Sequence, residues 1–179
     1  FRGIGDLTII VKTLVEFLKE KGAEPFIIPA MGSHGGATPE GQRQILASYG
    51  IDEESMGVPV ISSVDVVKLG RLPEGPEIYF DKIAFAADGI IPVNRIKLHT
   101  AFQGEVQSGI LKMLVIGFGN HMGASTIHRF GADRFHWVIP EAGKFILKNA
   151  PVLFGVGVVE NHQGKAAVIE AIAADDVYD

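Results

Sequence analysis

The sequence has 179 residues, of which 47% are hydrophobic and 21% charged, with a formal net charge of −5. These values are typical of one globular domain with a buried core, and they exclude a disordered segment and a basic nucleic-acid surface. The absence of cysteine excludes disulfides and zinc–thiolate sites, and no apolar run is long enough to span a membrane. We therefore expect a cytoplasmic protein.

Two helices and a strand are predicted in the first fifty residues. Apolar residues recur at helical spacing over residues 7–21, and a short apolar run over residues 25–31 predicts a buried strand. A second helix is predicted over residues 39–49, because Thr38 is a natural N-cap, Pro39 suits the first helical position and Gly50 follows as a stop.

The remaining chain predicts strands that alternate with helices. Strands are expected at residues 59–62, 64–69, 77–80, 88–93, 152–159 and 166–172. Helices are expected at residues 104–118 and at residues 134–149, the latter interrupted by Pro140 and Gly143. This order predicts an α/β domain with a Rossmann-like, mainly parallel sheet flanked by helices. Such sheets bind ligands at the carboxyl ends of their strands.

A glycine-rich loop, PAMGSHGGATPEGQ, follows the strand predicted at residues 25–31 and contains His34. Gly35 and Gly36 allow the backbone to approach a ligand closely, and the N-terminus of the following helix favours an anion. The pattern alone favours two interpretations about equally: a phosphate-cradling loop with an incidental histidine, or a loop with a catalytic histidine.

A second polar segment, NRIKLHT, follows the strand predicted at residues 88–93 and carries Lys97 and His99. A histidine at a strand end can act as a general base near neutral pH, or it can be a structural residue bonded to a carbonyl. Lys112 lies in the apolar stretch ILKMLVIGF. Such a lysine either extends to solvent or sits in a pocket where its pKa falls and its amine becomes nucleophilic.

His121 and His128 are seven residues apart, a spacing that could put both on one face of a helix. Two histidines do not make a metal site, and the pattern alone favours a surface role over ligation for His128, as it does for His136.

Taken in order, these motifs resemble the lactate racemase family, specifically the amino-terminal domain of nickel-pincer-nucleotide-dependent racemases and epimerases. The resemblance rests on four segments: Arg2-Gly3-Ile4, PAMGSHGGATPEGQ, NRIKLHTAFQGEVQSGILKML and GFGNHMGA. It implies a nickel pincer nucleotide, pyridinium-3,5-bisthiocarboxylic acid mononucleotide nickel, tethered covalently to a lysine. One histidine completes the nickel coordination, and two others flank a 2-hydroxy acid, exchanging the hydroxyl proton while hydride moves between C2 and the cofactor.

By this resemblance, His34 and His99 are the acid–base pair, Lys112 is the tether, and His121 is the nickel ligand, for which His128 is a rival. The remaining cofactor-binding residues that the resemblance suggests are Arg2, Gly35, Gly36 and Lys97. It also implies that residues 1–179 form a single α/β domain, a piece of a longer two-domain protein.

The expected function is a racemase or epimerase of a lactate-like 2-hydroxy acid or a sugar acid, with the cofactor's biosynthetic enzymes as partners. One alternative is a nucleotide- or anion-binding module without catalysis, and another is a dehydrogenase that releases the keto acid. The combination of His34, His99 and Lys112 favours an enzyme over the binding module, because a binder has no need of all three.

Overall fold

The fold is mixed α/β in a computed structural model that describes residues 3–97, 106 and 108–177, which confirms the predicted class. Its helices are α1 (Leu7–Glu20), α2 (Pro39–Ser48), α3 (Glu53–Met56), α4 (Lys82–Phe85), α5 (Ile110–Lys112), α6 (Asn120–Arg129) and α7 (Phe135–Asn149). Its strands are β1 (Val66–Arg71), β2 (Glu77–Asp81), β3 (Val93–Arg95), β4 (Phe154–Glu160) and β5 (Ala166–Ala173). Within the described ranges, no helix has the length and apolar character needed to cross a membrane.

The strands form two small sheets. β1 and β2 make an antiparallel hairpin, while β4 pairs in parallel with β3 and antiparallel with β5. Two isolated parallel bridges join Ile27 to Val60 and Ile90 to Val152. The mainly parallel, Rossmann-like sheet is therefore not confirmed, because the segments predicted as strands at residues 25–31 and 59–62 contribute only a single bridge.

Helices α1 and α2 lie where the sequence predicts them. The Thr38 side chain accepts a hydrogen bond from the Gly41 N–H at 3.1 Å and so caps α2. Gly50 follows that helix with a φ of 74°, a left-handed conformation that glycine adopts readily. Local capping signals were therefore sufficient to place this helix.

Two helix predictions are corrected. The helix predicted from residue 104 begins only at Ile110, and it continues after Lys112 as a π-helical turn, Met113–Gly117. Residues 104, 105 and 107 lie outside the described part of the chain. The break predicted near Pro140 does not occur either, since α7 runs through it.

Packing explains why α7 continues despite the amide hydrogen bond that Pro140 cannot make. Ile139 and Ile146 on this helix are completely buried. Gly143 lies so close to Leu111 that a Cβ at this glycine would be 2.6 Å from the leucine side chain. The glycine thus allows α7 to press against α5, the helix that carries Lys112.

The buried apolar residues form three separate clusters rather than one core. The first contains Phe80 and Leu114, the second Val15 and Ile51, and the third, the smallest, Ile10 with two valines of β4. An apolar cavity of about 850 Å³ lies beside α1, lined by residues that belong to or pack against all three clusters. A packed interior has few voids larger than a water molecule, so a cavity of this size is unusual within a folded domain.

Candidate functional site

The glycine-rich loop meets the π-helical turn backbone to backbone. The Gly32 N–H donates a hydrogen bond to the Gly117 carbonyl at 3.0 Å. A Cβ on Gly117 would collide with the carbonyl of Ala30, and a Cβ on Gly32 would lie 3.1 Å from the carbonyl oxygen of Ile116. Both positions therefore require glycine, and their contact holds the predicted catalytic loop against the turn that follows the predicted tether.

His34 is exposed and its tautomer is fixed by the loop. Its Nδ1 lies 2.7 Å from the carbonyl oxygen of Met31. A carbonyl only accepts hydrogen bonds, so Nδ1 carries the proton and Nε2 carries the lone pair in the neutral ring. The buried Gln42 also fixes the loop, because its Nε2 donates a hydrogen bond to the Gly32 carbonyl at 2.9 Å. In this tautomer Nε2 of His34 is the ring atom that can accept a proton.

The two positions after His34 are occupied by glycine for different structural reasons. Both have a φ of 65°. A Cβ on Gly35 would lie 2.5 Å from the backbone of Gly41 and of Gln42, so Gly35 is required for packing against the first turn of α2. Nothing lies within 4 Å of a Cβ on Gly36. Gly36 therefore faces open space, where its backbone can approach an anionic ligand.

Two polar side chains fasten the segment around Lys97 to the start of α5. Asn94 is buried and donates from Nδ2 to the Gly109 carbonyl at 2.8 Å. The Ser108 hydroxyl accepts from the Lys97 N–H at 2.7 Å and donates to the Lys97 carbonyl. Residues 97 and 108 therefore lie side by side, and Ser108 is four residues before Lys112. His99 lies outside the described residues.

Lys112 is half-buried at the end of α5, immediately before the π-helical turn. Burial lowers the pKa of its amine, and the charge of Lys97 lowers it further. Lys112 is therefore not fully extended into solvent, and it has the lowered pKa that the sequence allows as one of its two possibilities. The lowered pKa raises the fraction of neutral, nucleophilic amine at a given pH.

His121 is exposed in the first turn of α6, with its Nε2 3.5 Å from the Ser125 hydroxyl. The preceding residue, Asn120, is buried and left-handed, with a φ of 50°. Its Nδ2 donates to Asp81 at 2.8 Å, and Asp81 also accepts from two backbone N–H groups and so caps α4. The sequence analysis did not identify the pair of Asn120 and Asp81. The only indication of it in the sequence is the single asparagine in the segment GFGNHMGA.

His128 lies on the same helix but has packing contacts. Its Nδ1 is 2.6 Å from the carbonyl oxygen of Ala124, and its ring lies edge-on to that of Phe135 with centroids 5.4 Å apart. Within the described residues, no three histidine, aspartate or glutamate side chains are grouped so that they could hold a metal.

The segment after Arg2 is anchored by a partly buried carboxylate, although Arg2 itself lies outside the described residues. Glu160 accepts from the Gly5 N–H at 2.7 Å and forms an ion pair with Arg95 at 2.6 Å. Burial raises the pKa of Glu160, but the Gly5 and Arg95 hydrogen bonds outweigh it and the net pKa is lowered. Arg95, one of the polar residues of NRIKLHT, is therefore structural.

These contacts define the class of protein: an α/β domain whose glycine-rich histidine loop lies against a lysine-bearing helix. The chain belongs to the lactate racemase N-terminal domain family, whose model matches residues 5–131, more than half of the sequence. It is similar to the lactate racemase apoprotein from Thermoanaerobacterium thermosaccharolyticum, with a TM-score of 0.66 and 18% identity, covering 96% of this chain and 43% of that one. No curated protein matches it at a significant level.

The family predicted from the motifs is thus confirmed, and the similarity to the solved racemase shows the fold alone. The chain spans less than half the length of that racemase. The roles assigned to His34, Lys97, Lys112 and His121 remain predictions, and none of these four residues lines the 850 Å³ cavity.

A first prediction concerns the reactivity of Lys112. Because its pKa is lowered, its amine should be acylated by a succinimidyl ester at lower pH than the exposed Lys148, as measured by mass spectrometry of labelled peptides across a pH series. The variant Lys97→Gln should move the Lys112 profile part of the way back to higher pH, because burial is the larger cause. Identical profiles for Lys112 and Lys148 would contradict this account.

Proposed function

We propose that this chain is the cofactor-bearing domain of a nickel-dependent racemase or epimerase that acts on a 2-hydroxy acid. The observation that carries the proposal is the half-buried Lys112 with its lowered pKa, in a helix whose following turn contacts the His34 loop. Formation of a thioamide requires an amine that is neutral for part of the time, and burial of Lys112 favours that form.

The donor groups present fit a lysine-tethered nickel pincer nucleotide. Such a cofactor brings sulfur and carbon ligands of its own, so the protein needs to add a single imidazole rather than a cluster of three ligands. The exposed His121 suits that role, and the open space beside Gly36 suits a phosphate. When bound, this cofactor supplies the hydride acceptor that no amino-acid side chain can supply.

Side chains of this domain would then handle the protons and the charge. His34 takes the hydroxyl proton of the substrate at Nε2, while the Met31 carbonyl stabilises the resulting imidazolium through the Nδ1 proton. His99 would be the second base, since inversion at C2 requires a proton acceptor for each enantiomer. Lys97 would hold an anionic group of the cofactor.

We also propose a substrate class, partner enzymes, a compartment and a second domain for the complete protein. The substrate is a small lactate-like or sugar acid, the enzymes that build the cofactor are partners, and the compartment is the cytoplasm. Residues 1–179 would form one of two domains, with the other domain contributing further substrate contacts. In the complete protein, the sheet of this domain would be Rossmann-like and mainly parallel.

The test of covalent loading uses the full-length protein, co-produced with the enzymes that build the cofactor. The intact mass should rise by one cofactor, and the added mass should map to Lys112. Lys112→Ala should lose the added mass completely, because the tether is gone, while the exposed Lys148→Ala should retain it. Loading that survives in Lys112→Ala would refute this tether, and an unmodified wild-type protein under these conditions would favour the binding module.

Loss of either proposed base should affect turnover rather than loading. His34→Ala and His99→Ala should each lower the racemisation rate by about 10²–10⁴-fold, the usual contribution of a general base, with the covalent mass unchanged. The matched control is His136→Ala, an exposed histidine whose Nδ1 also contacts a carbonyl, at 2.8 Å. Chiral chromatography gives the rate, and accumulation of keto acid in place of the second enantiomer would indicate a dehydrogenase.

Nickel retention should distinguish the two histidines of α6. His121→Ala should lower the nickel content per covalently loaded chain, because an exposed imidazole ligand is removed. His128→Ala should leave it unchanged, since that ring packs on Phe135. Metal analysis by mass spectrometry after dialysis measures both variants, and the opposite result would assign the nickel to His128.

A further inference from the structure

The apolar cavity beside α1 lies between two extended segments that lead to the proposed site. Residues 26–31 form one wall and continue into the His34 loop, and residues 90–93 form another and continue toward Lys97. Val11 and Leu14 of α1, together with Met113 and Phe118, add apolar side chains to its lining. The cavity is thus bordered by the elements that carry the functional loops, although His34, Lys97, Lys112 and His121 do not line it.

The first of these segments is hydrogen-bonded on one side only. Ile27 donates from its N–H to the Pro59 carbonyl at 2.9 Å and accepts from the Ile61 N–H at 2.8 Å. In a parallel strand, residues whose backbone groups point to one neighbour alternate with residues whose groups point away. Phe26 and Ile28 therefore direct their backbone groups away from residues 59–61, and both line the cavity.

The second segment has the same arrangement. Ile90 donates to the Pro151 carbonyl at 2.8 Å and accepts from the Leu153 N–H at 3.0 Å. Ile91 therefore directs its backbone groups away from residues 151–153, and it also lines the cavity. Within the described residues, no backbone hydrogen bond involves Phe26, Ile28 or Ile91. Backbone groups in an apolar interior need partners, and a β-strand between the two segments would supply them.

We propose that a β-strand of the same polypeptide, immediately ahead of Phe1, fills this cavity and pairs with both segments as the middle strand of one sheet. Gly3 and Ile4, which lead into α1, line the cavity, so the chain that enters α1 leaves from it. A strand there, followed by α1 and then by residues 26–31, is a βαβ unit, whose crossover brings the two strands side by side and parallel.

The lining also defines the chemistry of the strand. It must be almost continuously apolar, as in strands covered on both faces, and it needs about five or six residues to match the neighbouring segment. The similar racemase has room for such a segment, since this chain covers 43% of it. A small apolar ligand could occupy a cavity of this size, but it would leave the backbone groups of both segments without partners.

This strand would join the Ile27–Val60 bridge to the sheet of β3, β4 and β5, and would connect the segments that lead to the functional loops. The order across the sheet would be residues 59–61, residues 26–31, the new strand, β3, β4 and β5, with parallel pairing everywhere except between β4 and β5. On the function proposed above, the strand sets the distance between the His34 loop and the Lys97 segment. It is thus a positioning element for the two halves of the site.

Photo-crosslinking in the natural full-length polypeptide tests the occupant. A diazirine-bearing residue is placed at Ile28 or Ile91, and in the control at Ile169, which is 53% exposed on β5. Both cavity positions should crosslink to the same apolar peptide directly ahead of Phe1, and the control should not. Any of four results would overturn the proposal: crosslinks to another part of the chain, crosslinks to a second copy, a co-purified apolar molecule in native mass spectra, or a natural polypeptide with nothing ahead of Phe1.

Hydrogen exchange in the same intact protein provides a readout that needs no substitution. The Ile28 and Ile91 amides should exchange within about tenfold of the rates of Ile27 and Ile90, whose amides are hydrogen-bonded within the described residues. Much faster exchange at Ile28 and Ile91 would show that no strand pairs with them. Neither experiment depends on nickel, cofactor or turnover, so failure of the strand is distinguishable from failure of the racemase proposal.

Discussion

The close backbone approach of the glycine-rich loop to the π-helical turn determines how the rest of the site is arranged. One hydrogen bond, from Gly32 to Gly117, joins the His34 loop to the segment that links Lys112 with α6. A side chain on either glycine would meet a carbonyl oxygen and separate the two elements. The loop and the turn can approach this closely because both contact positions are glycines. No polar residue of the site is needed to bring them together.

Backbone conformation on both sides of this contact is unusual for the residue types present. Ala30 precedes the loop with a φ of 43°, and Asn120 precedes His121 with a φ of 50°. A non-glycine residue in the left-handed region costs on the order of 1–3 kcal/mol and persists only where packing enforces it. Both residues are buried, and Asn120 is also held by Asp81. The surrounding fold therefore maintains this strain at the two positions that direct His34 and His121.

Elements that are marked by caps or by a local pattern of apolar residues were predictable from the sequence. Features that depend on contacts between residues far apart in the sequence were not. Thr38 and Gly50 place α2, and the strand-like runs at residues 152–159 and 166–172 place β4 and β5. The Asn120–Asp81 hydrogen bond spans 39 residues, and the continuity of α7 through Pro140 depends on burial against other helices. Within the site, residue types and order indicated His34, Lys112 and His121, but the clamp of Ser108 on Lys97 has no local pattern.

The cavity lies between the three apolar clusters and explains why they do not form one continuous core. A gap of about 850 Å³ among apolar side chains deprives the side chains that line it of dispersion contacts on that side. A strand in this position would remove the void and join the clusters on its two sides. Stability of the fold and spacing of the functional loops would then depend on the same element.

The hydrogen bond between Gly5 and Glu160 has a consequence for biosynthesis. The two residues are separated by 155 positions in the sequence, so the anchor of the first turn is made late. At about 5–20 residues per second, the ribosome takes about 8–30 s to add that length of chain. During this time the Gly5 N–H lacks the Glu160 carboxylate as its partner, although α1 and α2 are already outside the ribosome. In a nascent chain, this hydrogen bond is therefore among the last contacts of the domain to form.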